Sequence, residues 1–172
     1  GTALLSTTGL DASAASGRQS ANVVFVAKLH AMNTGIAGKT VGEARFTVRG
    51  DKLSIKIRVT GAPPTIEHWQ HFHGFKDHRV AECPTESADV NRDGIVDLIE
   101  TEPASGTTMV PFDGAPAAMD VPAETYPHAS AKGSYRYQKT VSLKALEAAF
   151  AKAFDGQKLD LDRRVVYVHG VP

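Results

Sequence analysis

A strict alternation of apolar and polar side chains in residues 53–59 does most to limit the folds open to this chain. The segment reads Leu-Ser-Ile-Lys-Ile-Arg-Val, so its four apolar side chains share one face of an extended strand and its polar side chains share the other. Residues 41–48 before it also have strand character, and Arg49-Gly50-Asp51 between the two segments is typical of a turn. The pair therefore predicts an antiparallel hairpin with one buried face.

Three further segments are rich in β-branched and aromatic residues and predict strands: residues 22–29, 66–73 and 164–169. Residues 142–154 predict a helix, because their apolar side chains recur at helical spacing and Ser142 can cap the first turn. The chain has 172 residues, of which 42% are apolar, which is enough for one domain with a core. We therefore expect an all-β, antiparallel fold with one helix.

Two stretches lack this periodicity. Residues 1–20 are small and polar, which predicts a flexible N-terminal arm ahead of a single domain over residues 21–172. Residues 74–137 carry Gly, Pro, Asp and Ser throughout, which predicts a long loop insertion within that domain. A loop of this length inside a compact domain needs something to stabilise it.

Charge and cysteine content exclude several classes of protein. Lys plus Arg and Asp plus Glu both number 19, and the resulting zero net charge argues against a general nucleic-acid binder. No apolar run approaches the roughly 20 residues that a membrane-spanning helix needs. The single cysteine, Cys83, excludes an intramolecular disulfide and a zinc ribbon. The first residues show no signal-peptide pattern.

Potential metal ligands are most concentrated in residues 68–74, His-Trp-Gln-His-Phe-His-Gly. Alternate residues of a strand share a face, so His71 and His73 point the same way and could bind one ion, while Phe72 faces the core. Two imidazoles make a weak site, and His169, which also ends a strand before a glycine, is the candidate third ligand. The two strand ends would converge if the strands are neighbours. Imidazole suits zinc, copper and iron, so these residues alone leave the metal open.

Two other histidines have weaker claims on the site. His68 lies on the same face of the strand as Phe72, opposite to His71 and His73. This favours a hydrogen-bonded structural role over a metal ligand, unless a β-bulge turns the side chain to the other face. His128 lies in the irregular stretch and is the candidate fourth ligand, brought over the site by its loop. The alternative for all these histidines is ordinary packing or solvation without a metal.

Residues 89–100 match the twelve-residue calcium loop of the EF-hand at each diagnostic position. Gly94 falls at position 6, where the chain must turn sharply, and Val96 at position 8 could attach the loop to the core. Calcium needs about six to eight oxygen ligands, and this spacing supplies them. The alternative is a solvated acidic loop. The predicted calcium ligands are Asp89, Asn91, Asp93, the backbone carbonyl of Ile95, Asp97 and Glu100.

The flanks of this loop decide which kind of calcium site to expect. Pro84 and Pro103 bracket it, and neither flank predicts a good amphipathic helix, which disfavours an EF-hand pair and a cytosolic calcium sensor. A lone calcium loop would instead stabilise the insertion of residues 74–137 by holding its chain together around the bound ion. It also indicates a calcium-rich setting outside the cytoplasm.

The strand, hairpin, glycine turn and His-x-x-His-x-His order of residues 22–74 resembles the copper/zinc superoxide dismutase fold and its relative, the CHRD domain. The resemblance covers about half of the chain and implies an antiparallel Greek-key β-sandwich or barrel. It implies copper ligands at His71 and His73, a further copper ligand at His169, and a structural role for His68. Zinc is the second metal of that family.

The sequence departs from the family pattern in three places. The bridging histidine and the zinc ligands have no residue-by-residue match, because the predicted calcium loop occupies their region. Cys83 stands where the loop cysteine of the family would, but the partner cysteine and the active-site arginine of a later strand do not follow His169. Arg79 and Arg164 are the candidates to replace that arginine.

Two functional hypotheses follow. The first is a secreted or periplasmic copper-binding protein that resembles superoxide dismutase, with superoxide or another small anion as its substrate if it is an enzyme. The second is a non-catalytic extracellular module of the CHRD type, structural or interacting, which calcium stabilises. Neither requires a nucleic acid or a membrane span, and both are compatible with a homodimer.

Overall fold

The computed structural model describes residues 4–7, 11–15 and 22–171, and these residues are mostly β-structure. Every strand pairing among them is antiparallel, which confirms the all-β expectation. The helices are α1 (Thr34–Ala37), α2 (Leu98–Ser105) and α3 (Leu143–Ala153), and within the described ranges no helix is both long and apolar enough to cross a bilayer. The strands are β1 (Leu4–Thr7), β2 (Asp11–Ala15), β3 (Asn22–Ala31), β4 (Val41–Arg49), β5 (Lys52–Thr60), β6 (Glu67–Gly74), β7 (Thr107–Pro111), β8 (Tyr135–Ser142) and β9 (Val165–Val171).

Backbone hydrogen bonds join the strands in the order β7-β6-β9-β1-β3-β4-β5-β8, with β2 beside β3. No pairing between described residues links β7 to β8, so the sheet does not close into a barrel. The ring centroids of Phe46 on β4 and Phe72 on β6 are nevertheless 4.9 Å apart. A flat sheet would hold these two strands about 19 Å apart, since β9, β1 and β3 lie between them. The sheet therefore folds over itself into two facing layers.

The hydrophobic core fills the space between these layers. The ring of Phe112 lies 5.4 Å from that of Phe46 and 4.8 Å from that of Phe72, so one aromatic cluster joins both layers. Helix α3 adds Leu146 and Phe150, both fully buried, to the same core. Its first turn is capped as expected, because the Ser142 hydroxyl accepts a hydrogen bond from the Ala145 amide at 3.1 Å.

Two short parts of the segment predicted as a flexible arm form strands in the structure. Strands β1 and β2 both pair with β3, and β1 also pairs with β9, so β1 lies between two strands of the sheet. Backbone hydrogen bonds need no large side chains, which is why a segment of small residues can pair in this way. The rest of residues 1–20 lies outside the described ranges.

Residues 74–137 hold more regular structure than their composition predicts. Strand β7 pairs with β6, and β8, which begins at Tyr135, pairs with β5. Helix α2 begins within the last three residues of the acidic loop, with a capping box between Asp97 and Glu100. It contains Pro103 and is not amphipathic, in line with the expectation that no good amphipathic helix flanks the loop. On the other side of that loop the structure has only a 3₁₀ turn over residues 86–88. The insertion is therefore partly built into the sheet.

Candidate metal centre

Strands β6 and β9 form one antiparallel ladder that carries the three predicted ligands. In its register His71 lies opposite Tyr167, and His169 lies opposite Trp69. Because side chains alternate along each strand, His71, His73 and His169 share the face of the ladder turned away from the core, whereas Phe72 packs inside. The predicted parity of the histidine strand is therefore correct.

The expected convergence of the two strand ends is wrong, although the rings do meet. His73 pairs with Val165 and His169 pairs with Trp69, because the strands run in opposite directions. The rings meet diagonally across the ladder, with centroid distances of 5.4 Å between His71 and His169, 6.0 Å between His73 and His169, and 6.1 Å between His71 and His73. One nitrogen from each ring lies within 4.8 Å of the other two. This three-histidine cluster could hold a metal ion.

The cluster is buried, and it leaves polar atoms without hydrogen-bond partners. The exposed fractions are 2% for His71, 1% for His73 and 6% for His169. Both ring nitrogens of His71 and the Nδ1 atom of His73 have no hydrogen-bond partner. A buried polar group left unpaired costs about 1–3 kcal/mol, so such atoms are rare in folded proteins and call for an explanation. A bound cation would satisfy them.

Burial also sets the protonation state of the cluster. Loss of hydration lowers the pKa of His71 well below its usual value, and the neighbouring His169 and His73 add to the effect. The same cause lowers the pKa of His73 to about 3, with a further contribution from His169, and that of His169 to about 4. All three imidazoles are therefore neutral near pH 7, which is the form that binds a metal.

Aromatic rings and one hydroxyl surround the cluster. The Tyr167 ring centroid lies 4.3 Å from that of His73, and the Tyr126 ring meets the edge of His71 at 5.6 Å. Trp69 stacks on Tyr126 at 5.4 Å. The Thr108 hydroxyl lies 3.2 Å from Nε2 of His73, so it fixes the orientation of that ring. These neighbours limit the access of water and hold the imidazoles in place.

His68 and His128 lie apart from this cluster. His68 is buried on the core side of β6, where its Nε2 atom lies 3.0 Å from the Pro63 carbonyl oxygen and its ring stacks on Tyr135 at 5.4 Å. His128 is exposed and pairs with Glu67 of β6 in an isolated bridge. The structure thus gives His68 the contacts of a support and does not bring His128 to the other ligands.

The two candidate arginines have other partners. The Arg164 guanidinium is buried, donates to the backbone carbonyl oxygens of Leu159 and Lys158 at 2.9 Å each, and fills the space beside Gly74 on the core side of β6. Arg79 is exposed and forms an ion pair with Asp77 at 2.8 Å. Neither set of contacts includes a cluster histidine.

The acidic loop has the turn that its sequence predicts. The Asp89 carboxylate accepts from the amides of Asp93 and Gly94, and Gly94 has a φ of +84°, in the left-handed region. Glu100, at the end of the loop, accepts from the amides of Val90 and Asn91 near its start. Among the described residues, however, the carboxylates of this loop do not gather as closely as the histidine nitrogens do. Calcium binding here stays a prediction.

One long-range contact attaches the loop to the body of the protein, and the sequence did not reveal it. The buried Asn33 side chain accepts a hydrogen bond from the Val96 amide at 2.8 Å and donates one to the Val96 carbonyl oxygen at 3.1 Å. Val96 was expected to attach the loop through its apolar side chain, and it is indeed buried. The Asn33 carboxamide also holds the Val96 backbone, because it bonds both the amide and the carbonyl group, as the backbone of a neighbouring strand does.

No protein-family model, curated protein or solved structure matches this chain. The geometry of the three-histidine cluster and the acidic loop therefore carries the functional conclusion.

Proposed function

We propose that the three-histidine cluster binds one copper ion and that the protein is a copper-binding protein of the superoxide dismutase-like or CHRD class. The observation that supports this most directly is the set of unpaired nitrogens on His71 and His73, buried within reach of His169. In a protein without a function for them, these atoms would only destabilise the fold. A cation bound by all three rings would give these nitrogens a partner, and the free energy of that interaction would offset the cost of burying them.

Copper is the metal that we favour over zinc and iron. The cluster consists of neutral imidazoles, with no thiolate and no carboxylate among its described members. At nitrogen sites of this kind, affinity for divalent first-row metals is highest for copper. When bound, copper would supply one-electron exchange with a small anion such as superoxide. The protein itself would hold the ligands at fixed angles through Thr108 and shield them through Tyr126 and Tyr167.

The non-catalytic CHRD-type module remains the second candidate, and the arginines favour it. Fast dismutation needs a positive charge that guides the anion to the metal. Arg164 is committed to two backbone carbonyls and Arg79 to Asp77, so neither is free for this task. We therefore put copper binding first and treat superoxide turnover as an activity to be tested.

We also propose that residues 89–100 bind calcium and staple the insertion to the sandwich. The order of the ligands, the left-handed turn at Gly94 and the attachment of Val96 by Asn33 support this. A site of this kind fills where calcium is abundant, which supports a secreted or periplasmic location.

Elemental analysis of the untreated protein tests the copper proposal. We expect one copper per chain in the wild-type protein and its loss in the variant His71→Ala/His73→Ala. The matched control, His30→Ala/His128→Ala, removes two exposed histidines outside the cluster and should keep its copper. Equal copper in all three proteins would contradict the proposal. Zinc in place of copper would support the metal site but contradict the assignment of copper. Superoxide consumption by the copper-loaded protein would favour an enzyme over the non-catalytic module.

A further inference from the structure

The outer face of β3, β4, β5 and β8 carries a group of cations that the metal centre does not use. The inner side chains of these strands, such as Phe46 and Ile57, fill the core, so the alternate residues point outward. Two consecutive rows across the strands hold six of the eight charged side chains described on this face, and the other two, Arg49 and Lys52, lie opposite each other beside the turn between β4 and β5. The first row is Lys28, Glu43, Arg58 and Arg136, and the second is Val26, Arg45, Lys56 and Gln138.

We call this surface the basic face and define it by Lys28, Arg45, Lys56, Arg58, Arg136 and Glu43. Its five cations stand against one carboxylate among the described side chains, in a chain whose net charge is zero. Glu43 already forms ion pairs with Lys28 and Arg45. The other three cations, which are all exposed, take part in none of the ion pairs between described residues. The face therefore has an unbalanced positive charge.

This arrangement costs the folded protein stability. Arg58 lies directly opposite Arg136 on the neighbouring strand, and Arg45 lies directly opposite Lys56. Like charges at directly opposite positions of neighbouring strands repel each other, so each of these two pairs destabilises the folded state. A bound anionic partner would neutralise both pairs at once, which gives the arrangement a use.

The shape of the face favours a flexible acidic polysaccharide over other polyanions. The Cα atoms of its cations form a grid with spacings of about 5 Å across the strands and about 7 Å along them. The next row offers the hydroxyls of Thr47, Ser54 and Thr140. Guanidinium groups bind sulfate and carboxylate in a bidentate manner, and hydroxyls suit sugar rings. Two adjoining depressions, which share Glu43, Arg58 and Arg136, run across the grid.

Nucleic acids and membranes fit this surface less well. The outward positions of these four strands include no Phe, Tyr or Trp among the described side chains, so bases have no ring to stack on. The longest described helix, α3, packs into the core, so it does not offer itself to a major groove from this face. The apolar side chains at these described positions are valines, of which Val41 is 54% exposed, and Phe, Trp and Leu, which insert into a bilayer, are missing from them.

The basic face lies on the opposite side of the sandwich from the three-histidine cluster. Phe46 and Phe72 pack against each other in the core, the cations point away from Phe46, and His71 and His73 point away from Phe72. The cations therefore do not guide an anion to the metal centre. This surface calls for a separate function.

We propose that the basic face binds an extended polysaccharide that carries sulfate or carboxylate groups, and that it holds the protein on such a polymer. Heparin serves as the sulfated probe and polygalacturonate as the carboxylated one, so their relative affinities identify the preferred anion. The measurement is the Kd of each probe, by isothermal titration calorimetry, as a function of salt concentration.

The test variant is Lys56→Gln/Arg58→Gln/Arg136→Gln, which removes the three cations without an ion pair. The control, Lys144→Gln/Lys152→Gln/Lys158→Gln, removes the same charge from exposed positions on α3 and beyond. We expect the Kd of the better probe to rise at least about tenfold in the test variant, with a shallower salt dependence, and to change little in the control. Equal losses in both variants, or no binding of either probe at low salt, would overturn the proposal. So would tighter wild-type binding of oligothymidylate or of phosphatidylserine vesicles.

A second variant keeps the test independent of folding. Lys56→Glu/Arg136→Glu places a carboxylate opposite Arg45 and opposite Arg58, so it turns two repulsive pairs into attractive ones. We expect its urea midpoint to equal or exceed that of the wild type while probe binding is lost. Wild-type binding by this variant would overturn the proposal.

Discussion

The contact between Asn33 and Val96 makes the sharpest prediction about stability. The Asn33 carboxamide pairs with both backbone groups of Val96, at 2.8 Å and 3.1 Å, and both residues are buried, with exposed fractions of 4%. In Asn33→Ala, the amide and the carbonyl of Val96 would lose these partners. Each buried group left unpaired costs about 1–3 kcal/mol, so the loss of both partners should lower the free energy of unfolding by about 2–6 kcal/mol.

Urea unfolding, followed by the fluorescence of the single tryptophan, Trp69, measures this loss. A matched control is Asn22→Ala, which also removes a carboxamide, but one whose oxygen has no hydrogen-bond partner. We expect no loss of stability there, because the substitution removes a buried unpaired atom and leaves none behind. If Asn33→Ala unfolds within about 0.5 kcal/mol of the wild type, the contact does not attach the loop and the reasoning fails. If calcium fills the loop, it should raise the midpoint of the wild type more than that of Asn33→Ala.

The pKa values of the cluster histidines predict how metal-free protein responds to acid. All three pKa values are lower in the folded state than the usual 6.5, so the unfolded chain takes up protons first. Stability present above about pH 6.5 is therefore lost as the pH falls, toward the folded pKa values of about 3 for His73 and about 4 for His169. Each histidine contributes up to about 1.4 kcal/mol per pH unit, and a urea midpoint that stays constant from pH 7 to pH 5 would contradict this. Gly106→Ala should destabilise the protein by more than about 2 kcal/mol in the same assay, because φ is +75° and a Cβ there would lie 2.2 Å from the Gly74 carbonyl oxygen. Gly50→Ala, at a φ of +56° with open space around it, should cost about 1 kcal/mol, and equal losses would show that the close approach does not matter.

Local pattern was enough to predict several elements of this fold. The alternation of residues 53–59 corresponds to β5, whose bounds exceed it by one residue at each end. The apolar stripe and the Ser142 cap correspond to α3. Strand β8 was missed although Tyr135, Tyr137 and Val141 turn toward the core with polar residues between them. The surrounding Gly-rich and Pro-rich stretch concealed an alternation that the sequence does contain.

The candidate site also has one part that local sequence pattern predicts and another that depends on the packing of the whole chain. The shared face of His71 and His73 follows from strand periodicity alone. Which residue of β9 would lie beside them depends on strand order and register, and the expected meeting of the strand ends was wrong for that reason. The pairing of Asn33 with Val96, 63 residues further along the chain, leaves no local pattern. Such contacts follow from the packing of the whole chain, so a single sequence does not reveal them.

X-ray absorption at the copper K-edge of the copper-loaded protein tests the central claim most directly. Multiple scattering from imidazole rings counts the histidines bound to the metal. We predict three, and two in the variant His169→Ala, with the control His128→Ala unchanged. A spectrum with at most one imidazole, or one that His169→Ala leaves unchanged, would contradict a site shared by β6 and β9.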